Sequence, residues 1–351
     1  MHKKNRLLLL FLSIIIISCS SGHRPFAKKE VRDVKVFLQA DSTNRLAYPG
    51  GIKSVPGGII LADVGTHKIY RFNRQGHKLL SFGKKGKGPG EFQRITNFWK
   101  FNGKYIVYDR RSQKLITYDN SGTPIKDIPL RFANAPEMLP GDIQLINPGQ
   151  FIMPSGGKNG TLWALATIAT DSIRYFGKAV GKRGTIRGAS AKLRHALTLS
   201  RGKNDVALSS NHTGIFAFQE RTALLEKYTK SGKRLWTKSL KIPAVKNLFQ
   251  TLLKKDRTRL QKKGKFLLTF QYATSIHATR QGVAVMLYTL KSQPIIVVWV
   301  PNDGAKITAV RFPKLKNPFP FAPNFTISND GSHIYFDYIR RAKLYKARWP
   351  L

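Results

Sequence analysis

Histidine is the residue type in this 351-residue chain whose positions most directly suggest chemistry. No pair of its eight histidines has the short spacing of a helical zinc site. His212 and His277 lie near predicted first strands of two repeat units, so they are the candidates for a metal-binding or acid–base role. The alternative is that both are ordinary loop or core residues. We predict no bound metal or other cofactor and assign no catalytic residue.

Two aspartates recur at equivalent places. Asp63 and Asp109 each end a predicted apolar strand, ten residues before Asn73 and Asp119 respectively. Such carboxylates could bind a cation or a substrate. Aspartate at a tight turn more commonly accepts hydrogen bonds from backbone N–H groups of that turn. We therefore predict a capping role for both.

A glycine-rich segment at residues 82–92 carries Lys84, Lys85 and Lys87. It differs from a phosphate-binding loop because it lacks a Gly-Lys-Ser/Thr ending and because a strand rather than a helix should follow. We predict that it links two β-units. The chain also lacks a Gly-x-Ser-x-Gly elbow and a dinucleotide fingerprint, so a serine hydrolase and a nucleotide-dependent enzyme are both disfavoured. The tryptophans at positions 99, 163, 236 and 299 fall in or beside apolar strands, which favours packing over sugar stacking.

The elements that must position these residues repeat along the chain. An alternating strand, a polar turn ending in glycine and a second alternating strand recur, which predicts hairpins with a positive φ at the glycine. The turn glycines are Gly76, Gly122, Gly232 and Gly304. One further unit lies between the second and third copies, and a last partial unit follows the fourth.

Residues 61–73 and 82–92 together resemble an NHL repeat, the unit of a family of six-bladed β-propellers. The resemblance implies an all-β, six-bladed propeller spanning residues 31–351, and a scaffold more than a reaction. The last unit supplies three strands where a blade needs four. The alternating segment 31–38 is predicted to pair with it and so close the ring, because an open terminal blade would leave unpaired backbone groups.

The N-terminus predicts export. Lys3, Lys4 and Arg6 precede the apolar run 7–17, which is too short to span a bilayer. Ile16-Ile17-Ser18-Cys19 resembles a bacterial lipobox. We predict a signal peptide at residues 1–18, lipidation of Cys19, a tether at residues 19–30, and sorting to the outer membrane because Ser20 is not aspartate. The alternative is an ordinary signal peptide with an incidental cysteine; as the only cysteine, Cys19 excludes an intrachain disulfide.

The chain is strongly basic, with a formal net charge of +43. Two predicted insertions concentrate this charge: residues 178–204 with eight basic and no acidic side chains, and residues 241–265 with nine basic side chains and Asp256. Helical spacing of apolar residues in the second predicts an amphipathic helix. Such a charge attracts polyanions at low salt. Nucleic acid is a disfavoured partner because an exported lipoprotein rarely meets it.

Our leading interpretation is a monomeric, non-enzymatic scaffold, attached to the membrane by its lipid. It would bind a protein or an anionic envelope glycan or lipid through loops on one face. The alternative is a propeller-type metal-dependent lyase or hydrolase, as in the peptidyl amidating lyases of this architecture, with its site at the mouth of the central channel. A glycan-binding module is a third possibility.

Overall fold

The structure is a computed structural model, and it describes most of the chain from Ala27 onwards. The described residues are 27–39, 46–130, 143–155, 161–178, 206–211, 213–219, 223–240, 273–287, 296–312, 324–338 and 343–351. Within these ranges all regular structure is β, and no helix is long and apolar enough to cross a membrane. The helix predicted within 241–265, most of the insertion 178–204, and Cys19 lie outside the described residues.

Two strands, β1 (Ala27–Glu30) and β2 (Arg32–Gln39), open the described chain, and antiparallel sheets, here called blades, follow. Blade 1 contains β3 (Pro49–Val55), β4 (Gly58–Asp63), β5 (Lys68–Asn73) and β6 (Lys78–Phe82). Blade 2 contains β7 (Ile95–Phe101), β8 (Lys104–Asp109), β9 (Lys114–Tyr118) and β10 (Pro124–Pro129). Blade 3 contains β11 (Gln144–Asn147), β12 (Gln150–Pro154), β13 (Thr161–Thr167) and β14 (Ser172–Lys178).

Blade 4 contains β15 (Val206–Asn211), β16 (Gly214–Gln219), β17 (Leu224–Tyr228) and β18 (Arg234–Ser239). Blade 5 contains β19 (Ala273–Ala278), β20 (Gly282–Leu287), β21 (Ile296–Pro301) and β22 (Thr308–Arg311). Blade 6 contains β23 (Phe325–Ile327), β24 (His333–Tyr338) and β25 (Lys343–Arg348). Within each blade, strands adjacent in sequence are adjacent in the sheet.

The first strands of the blades surround a common axis. Each one contacts the first strand of the next blade, in the order β3, β7, β11, β15, β19, β23 and back to β3. Six sheets arranged in this way form a six-bladed β-propeller. The prediction of an all-β propeller with six blades is confirmed.

Apolar residues fill the spaces between neighbouring blades. The second strands β4, β16 and β20 are buried along their whole length, because a neighbouring blade covers each of their faces. Trp163 is fully buried between blades 3 and 4, beside Phe176 and Tyr228. Trp99 and Trp299 are also buried in such clusters. These positions agree with the packing role predicted for the tryptophans.

The N-terminal segment joins two blades. β2 pairs antiparallel with β25 and forms the fourth strand of blade 6. β1 pairs parallel with β22 and adds a fifth strand to blade 5, which the sequence analysis did not anticipate. β1 lies within residues 19–30, the segment predicted as tether. Val31, between the two strands, is buried and its N–H donates to the carbonyl of Arg311.

The turn glycines adopt the conformation predicted for them. Gly76, Gly122, Gly232 and Gly304 have φ values of 92°, 84°, 83° and 72° in the turns between third and fourth strands. They also lie against the outer strand of the preceding blade. A Cβ at Gly122 would lie 2.7 Å from the Cβ of Phe82, and one at Gly232 would lie 2.9 Å from the ring of Phe176. Glycine is needed both for the backbone and for close approach.

Candidate functional site

The two predicted aspartates lie at one face of the ring, here called the upper face, where first strands begin and second strands end. Asp63 is fully buried at the end of β4. Its carboxylate accepts hydrogen bonds from the backbone N–H groups of Ala47 (2.6 Å), Tyr48 (2.9 Å), Gly65 (2.8 Å) and Thr66 (3.1 Å). It thus ties its own turn to the chain that enters blade 1.

Asp109 repeats this arrangement in blade 2. Its buried carboxylate accepts from the N–H groups of Gln93 (2.8 Å), Arg94 (2.9 Å) and Arg111 (3.1 Å). In both blades the carboxylate accepts from its own turn, as the sequence predicted, and also from the chain that enters the blade, which the sequence did not predict. Binding a cation there would require breaking these bonds.

A third carboxylate, which sequence reasoning missed, occupies the equivalent place in blade 6. Asp337 lies near the end of β24 and accepts from the backbone N–H of Asn324 at 2.8 Å and from the Asn324 side-chain amide at 3.3 Å. Burial raises the pKa of Asp337 to about 7, because these few hydrogen bonds only partly offset the loss of solvation. Aligning the last repeat on its second strand would have identified it.

His277 lies on β19, one of the strands that surround the axis. Its Nε2 lies 3.2 Å from the hydroxyl oxygen of Thr326 on β23. That hydroxyl already accepts the N–H of Ser54, at 2.9 Å, so its own hydrogen is available to the imidazole. Burial, with a smaller contribution from the positive charge of Lys53, lowers the pKa of His277 to about 4. The imidazole is therefore neutral near pH 7 and joins blade 5 to blade 6.

Lys53 belongs to β3 and also faces the axis. Its ammonium lies 4.6 Å from the ring centroid of Trp99 and 5.6 Å from that of Phe98, which joins blade 1 to blade 2 by cation–π contacts. A cation whose charge depresses the pKa of His277 also opposes metal binding by that imidazole. His212, the other candidate ligand, lies outside the described residues. Among the residues that are described, no three His, Cys, Asp or Glu side chains come together as a ligand set.

The glycine-rich connector between β6 and β7 is held in place by hydrogen bonds. The N–H of Gly86 donates to the carbonyl of Phe92, and the N–H of Phe92 donates to that of Lys84. The carboxylate of Glu91 accepts the N–H of Gly88 at 3.0 Å and lies 3.2 Å from the ammonium of Lys84. The hydrogen bond from the Gly88 N–H lowers the pKa of Glu91 most, and the ammonium of Lys84 lowers it further.

Blade 2 holds the other side of this connector. The ammonium of Lys114 donates to the carbonyl of Gly88 at 3.0 Å and to the carboxylate of Asp127 at 2.6 Å. Tyr118 donates its hydroxyl to the carbonyl of Gly90 at 2.8 Å. The connector leads directly into strand β7, as predicted, and has no helix N-terminus at which a phosphate could bind. It is a rigid platform between two blades.

Five exposed basic residues project from the upper face around this platform. We call them the upper basic patch: Lys84, Lys85, Lys87, Arg94 and Arg111. Sequence reasoning found the three lysines but not the two arginines. Strand register brings Arg94 and Arg111 to the same end of blade 2, where the N–H of Arg110 donates to the carbonyl of Arg94. The strands that flank both predicted basic insertions are also fourth and first strands, so they too end and begin at the upper face.

A family model described as 6-bladed beta-propeller (DUF5128) matches residues 16–146. A comparison with curated proteins gives no significant match. The NHL-like region lies within the matched segment, and its identity as an NHL repeat stays a prediction.

Solved structures with little sequence identity share the fold over nearly the whole chain. A member of the duf4221 family from Bacteroides vulgatus ATCC 8482 has a TM-score of 0.58 at 10% identity, covering 91% of this chain and 96% of that one. A candidate exported protein from Bacteroides fragilis NCTC 9343 has a TM-score of 0.55 at 12% identity, covering 92% and 98%. Virginiamycin B lyase from Staphylococcus aureus has a TM-score of 0.50 at 12% identity, covering 90% and 99%. At these identities the likeness concerns the fold alone.

Proposed function

We propose that this chain is a lipid-anchored, extracytoplasmic β-propeller that binds an anionic component of the cell envelope at its upper face and catalyses no reaction. The observation that carries the proposal is the upper basic patch. Of its five cations, only Lys84 forms an ion pair with a carboxylate among the described residues. The other four present uncompensated charge to solvent at one face.

The platform beneath the patch favours recognition over non-specific attraction. The backbone of residues 83–92 is held by Glu91, Lys114 and Asp127, so little conformational entropy is lost when a ligand binds. The net charge of +43 adds long-range steering toward polyanions. The attraction by the patch and the steering by the net charge both weaken with ionic strength, because exposed charges are screened beyond about 8 Å at physiological salt.

The anchoring part of the proposal comes from the N-terminal sequence. The lipobox-like segment ending at Cys19 supports lipidation, and Ser20 supports outer-membrane sorting. A protein of the same fold is described as exported, which agrees with an extracytoplasmic location. We further infer that the pairing of β2 with β25 fixes the ring shut, so that the tether leaves from a closed propeller.

The lyase alternative is less well supported by the axial residues. His277 is neutral, engaged by Thr326 and close to the charge of Lys53. Asp63 and Asp109 are engaged by backbone donors. The shared fold with virginiamycin B lyase does not by itself transfer a reaction.

The proposal is tested with a soluble form that begins at Ser20 and keeps every described residue. The K84Q/K85Q/K87Q variant removes three charges from the upper basic patch. The matched control, K104Q/K230Q/K233Q, removes three exposed charges from turns at the opposite face. We expect the fraction bound to isolated cell envelopes to fall severalfold in the first variant and to stay unchanged in the control. Equal behaviour of the two variants would refute the proposal.

A further inference from the structure

A second concentration of charge lies on the outer wall of the ring, where β1 and β2 join blades 5 and 6. An open cleft of about 980 Å³ lies there. Its basic lining residues are Lys29, Arg32, Arg311 and Arg348.

Two of these arginines lie directly opposite each other. Arg32 on β2 is the cross-strand partner of Arg348 on β25, so both side chains project from the same side of the sheet. Both are exposed. Neither has a carboxylate oxygen within 4 Å among the described residues. Like charges in this position destabilise a strand pair unless an anion lies between them.

The other wall of the cleft is fixed by the N-terminal segment. The ammonium of Lys29 donates to the carbonyl of Pro350 at 2.8 Å, and the N–H of Val31 donates to the carbonyl of Arg311 at 2.9 Å. The buried side chain of Val31 packs in the cluster that contains Trp349. The cations are thus attached to a backbone that is held by hydrogen bonds and apolar packing.

Acidic groups moderate the charge of the cleft without cancelling it. Glu30 and Asp33 also line it, as does Leu351, the last residue. Even with the terminal carboxylate of Leu351 included, the four basic side chains leave a positive excess. Glu30 is the cross-strand partner of Arg311, so the least compensated position is the Arg32–Arg348 pair.

We propose that this cleft binds a phosphate group. As cross-strand partners, the two arginines lie about 4.5–5.5 Å apart at Cα, and the register of β2 shifts only after Arg32. Both guanidinium groups can therefore reach one tetrahedral anion. Arginine binds phosphate oxygens in a bidentate fork, and such charge-assisted bonds are about twice as strong as neutral ones. The phosphate would convert a repulsive pair into a bridged one.

The position of the cleft favours a membrane phospholipid as the source of the phosphate. Ala27 lies eight positions after the predicted lipidated Cys19, a reach of at most about 29 Å when the chain is extended. A phospholipid headgroup therefore lies within reach of the cleft. The choice of a phospholipid as the source rests on the proposed lipid anchor, whereas the phosphate site itself does not.

The test measures the melting temperature of the soluble form that begins at Ser20, in inorganic phosphate and in chloride at matched ionic strength. A ligand that binds the native state raises the melting temperature by mass action. We expect phosphate to stabilise the wild type, and R32Q/R348Q to weaken phosphate binding about tenfold or more. The K230Q/K233Q control should respond as the wild type does. Without phosphate, R32Q/R348Q should be at least as stable as the wild type, because the like-charge pair is gone.

The proposal would be overturned if the wild type showed no saturable phosphate binding, or if R32Q/R348Q bound phosphate as tightly as the wild type. It would also be overturned if K230Q/K233Q weakened phosphate binding as much as R32Q/R348Q does. If R32Q/R348Q does not fold, R311Q gives the same comparison. Vesicles of phosphatidic acid and of phosphatidylcholine then distinguish the sources. Binding to phosphatidic acid alone, lost in R32Q/R348Q, assigns a lipid headgroup. Phosphate binding without vesicle binding would support the site with a free phosphate compound as its ligand. That outcome would leave the upper-face proposal unaffected.

Discussion

At the scale of single residues, two titratable side chains, the buried Asp337 and the half-buried His277, have pKa values displaced in opposite directions by the same cause. Burial favours the neutral form of each, so it raises the pKa of Asp337 to about 7 and lowers the pKa of His277 to about 4. Asp63, at the equivalent place in blade 1, accepts four backbone N–H groups, whereas Asp337 accepts one from the backbone and one from a side chain. The two carboxylates therefore differ in the number of backbone donors that they accept.

The Asp337→Asn change should stabilise the protein above neutral pH. A folded pKa of about 7, above the unfolded value of 3.8, means that wild-type stability from this group is complete below pH 3.8 and is lost as pH rises through 7. Asparagine keeps an acceptor for the Asn324 N–H without the buried charge. We expect a gain of about 1–3 kcal/mol at pH 8, measured by urea unfolding. A loss of stability at pH 8 would show that the charge is well solvated.

His277 should make the wild type sensitive to acid in a different range. Its folded pKa of about 4 lies below the unfolded value of 6.5, so its contribution is complete above pH 6.5 and is lost as pH falls toward 4. In His277→Gln this dependence should disappear, flattening the stability profile by about 1 kcal/mol between these pH values. Parallel pH profiles of the two proteins would contradict a neutral, half-buried imidazole.

At the scale of the element, the four turns that contain Gly76, Gly122, Gly232 and Gly304 are also contacts between blades. Each turn needs a positive φ, and it lies so close to the preceding blade that a side chain has no space. One glycine thereby fixes both the hairpin and the spacing of two sheets. This explains why the pattern recurs even where the rest of the repeat is lost.

A matched pair of glycines separates the two effects. Gly122 has φ +84° and a Cβ there would meet Phe82, whereas Gly103 has φ +74° and nothing lies within 4 Å of the corresponding position. Gly103→Ala should cost about 1 kcal/mol from backbone strain alone, and Gly122→Ala about 2–4 kcal/mol, because overpacking adds to it. Denaturant unfolding measures both. Equal losses would mean that Phe82 moves aside freely.

Local chemistry made much of this fold predictable from sequence. The turn glycines, and the hydrogen bonds of Asp63 and Asp109 to their own turns, were predicted because each depends on residues close in sequence. Other features depend on long-range pairing, which local patterns do not encode. Register brings Arg111 beside Arg94, and the parallel pairing of β1 with blade 5 has no local signature. Asp337 was missed because its blade lacks the glycine-rich connector that marks blade 1.

At the scale of the whole molecule, the N-terminal segment connects the predicted anchor to the ring. It pairs with blades 5 and 6 and buries Val31 and Leu38. A soluble form that begins at residue 40 should therefore melt at least about 10 °C below one that begins at Ala27. A form that begins at Ser20 should have the same melting temperature as the form that begins at Ala27. Equal melting of all three would show that β2 is dispensable for a closed ring.

We propose that the distribution of charge gives the molecule a preferred binding face at the upper basic patch. This proposal is tested most directly by the affinity of the soluble form for isolated cell envelopes, measured over a range of ionic strength. We predict strong, salt-sensitive binding by the wild type and by K104Q/K230Q/K233Q, and binding that is severalfold weaker and less salt-dependent by K84Q/K85Q/K87Q. Binding by the patch variant that matches the wild type at every ionic strength would contradict the account.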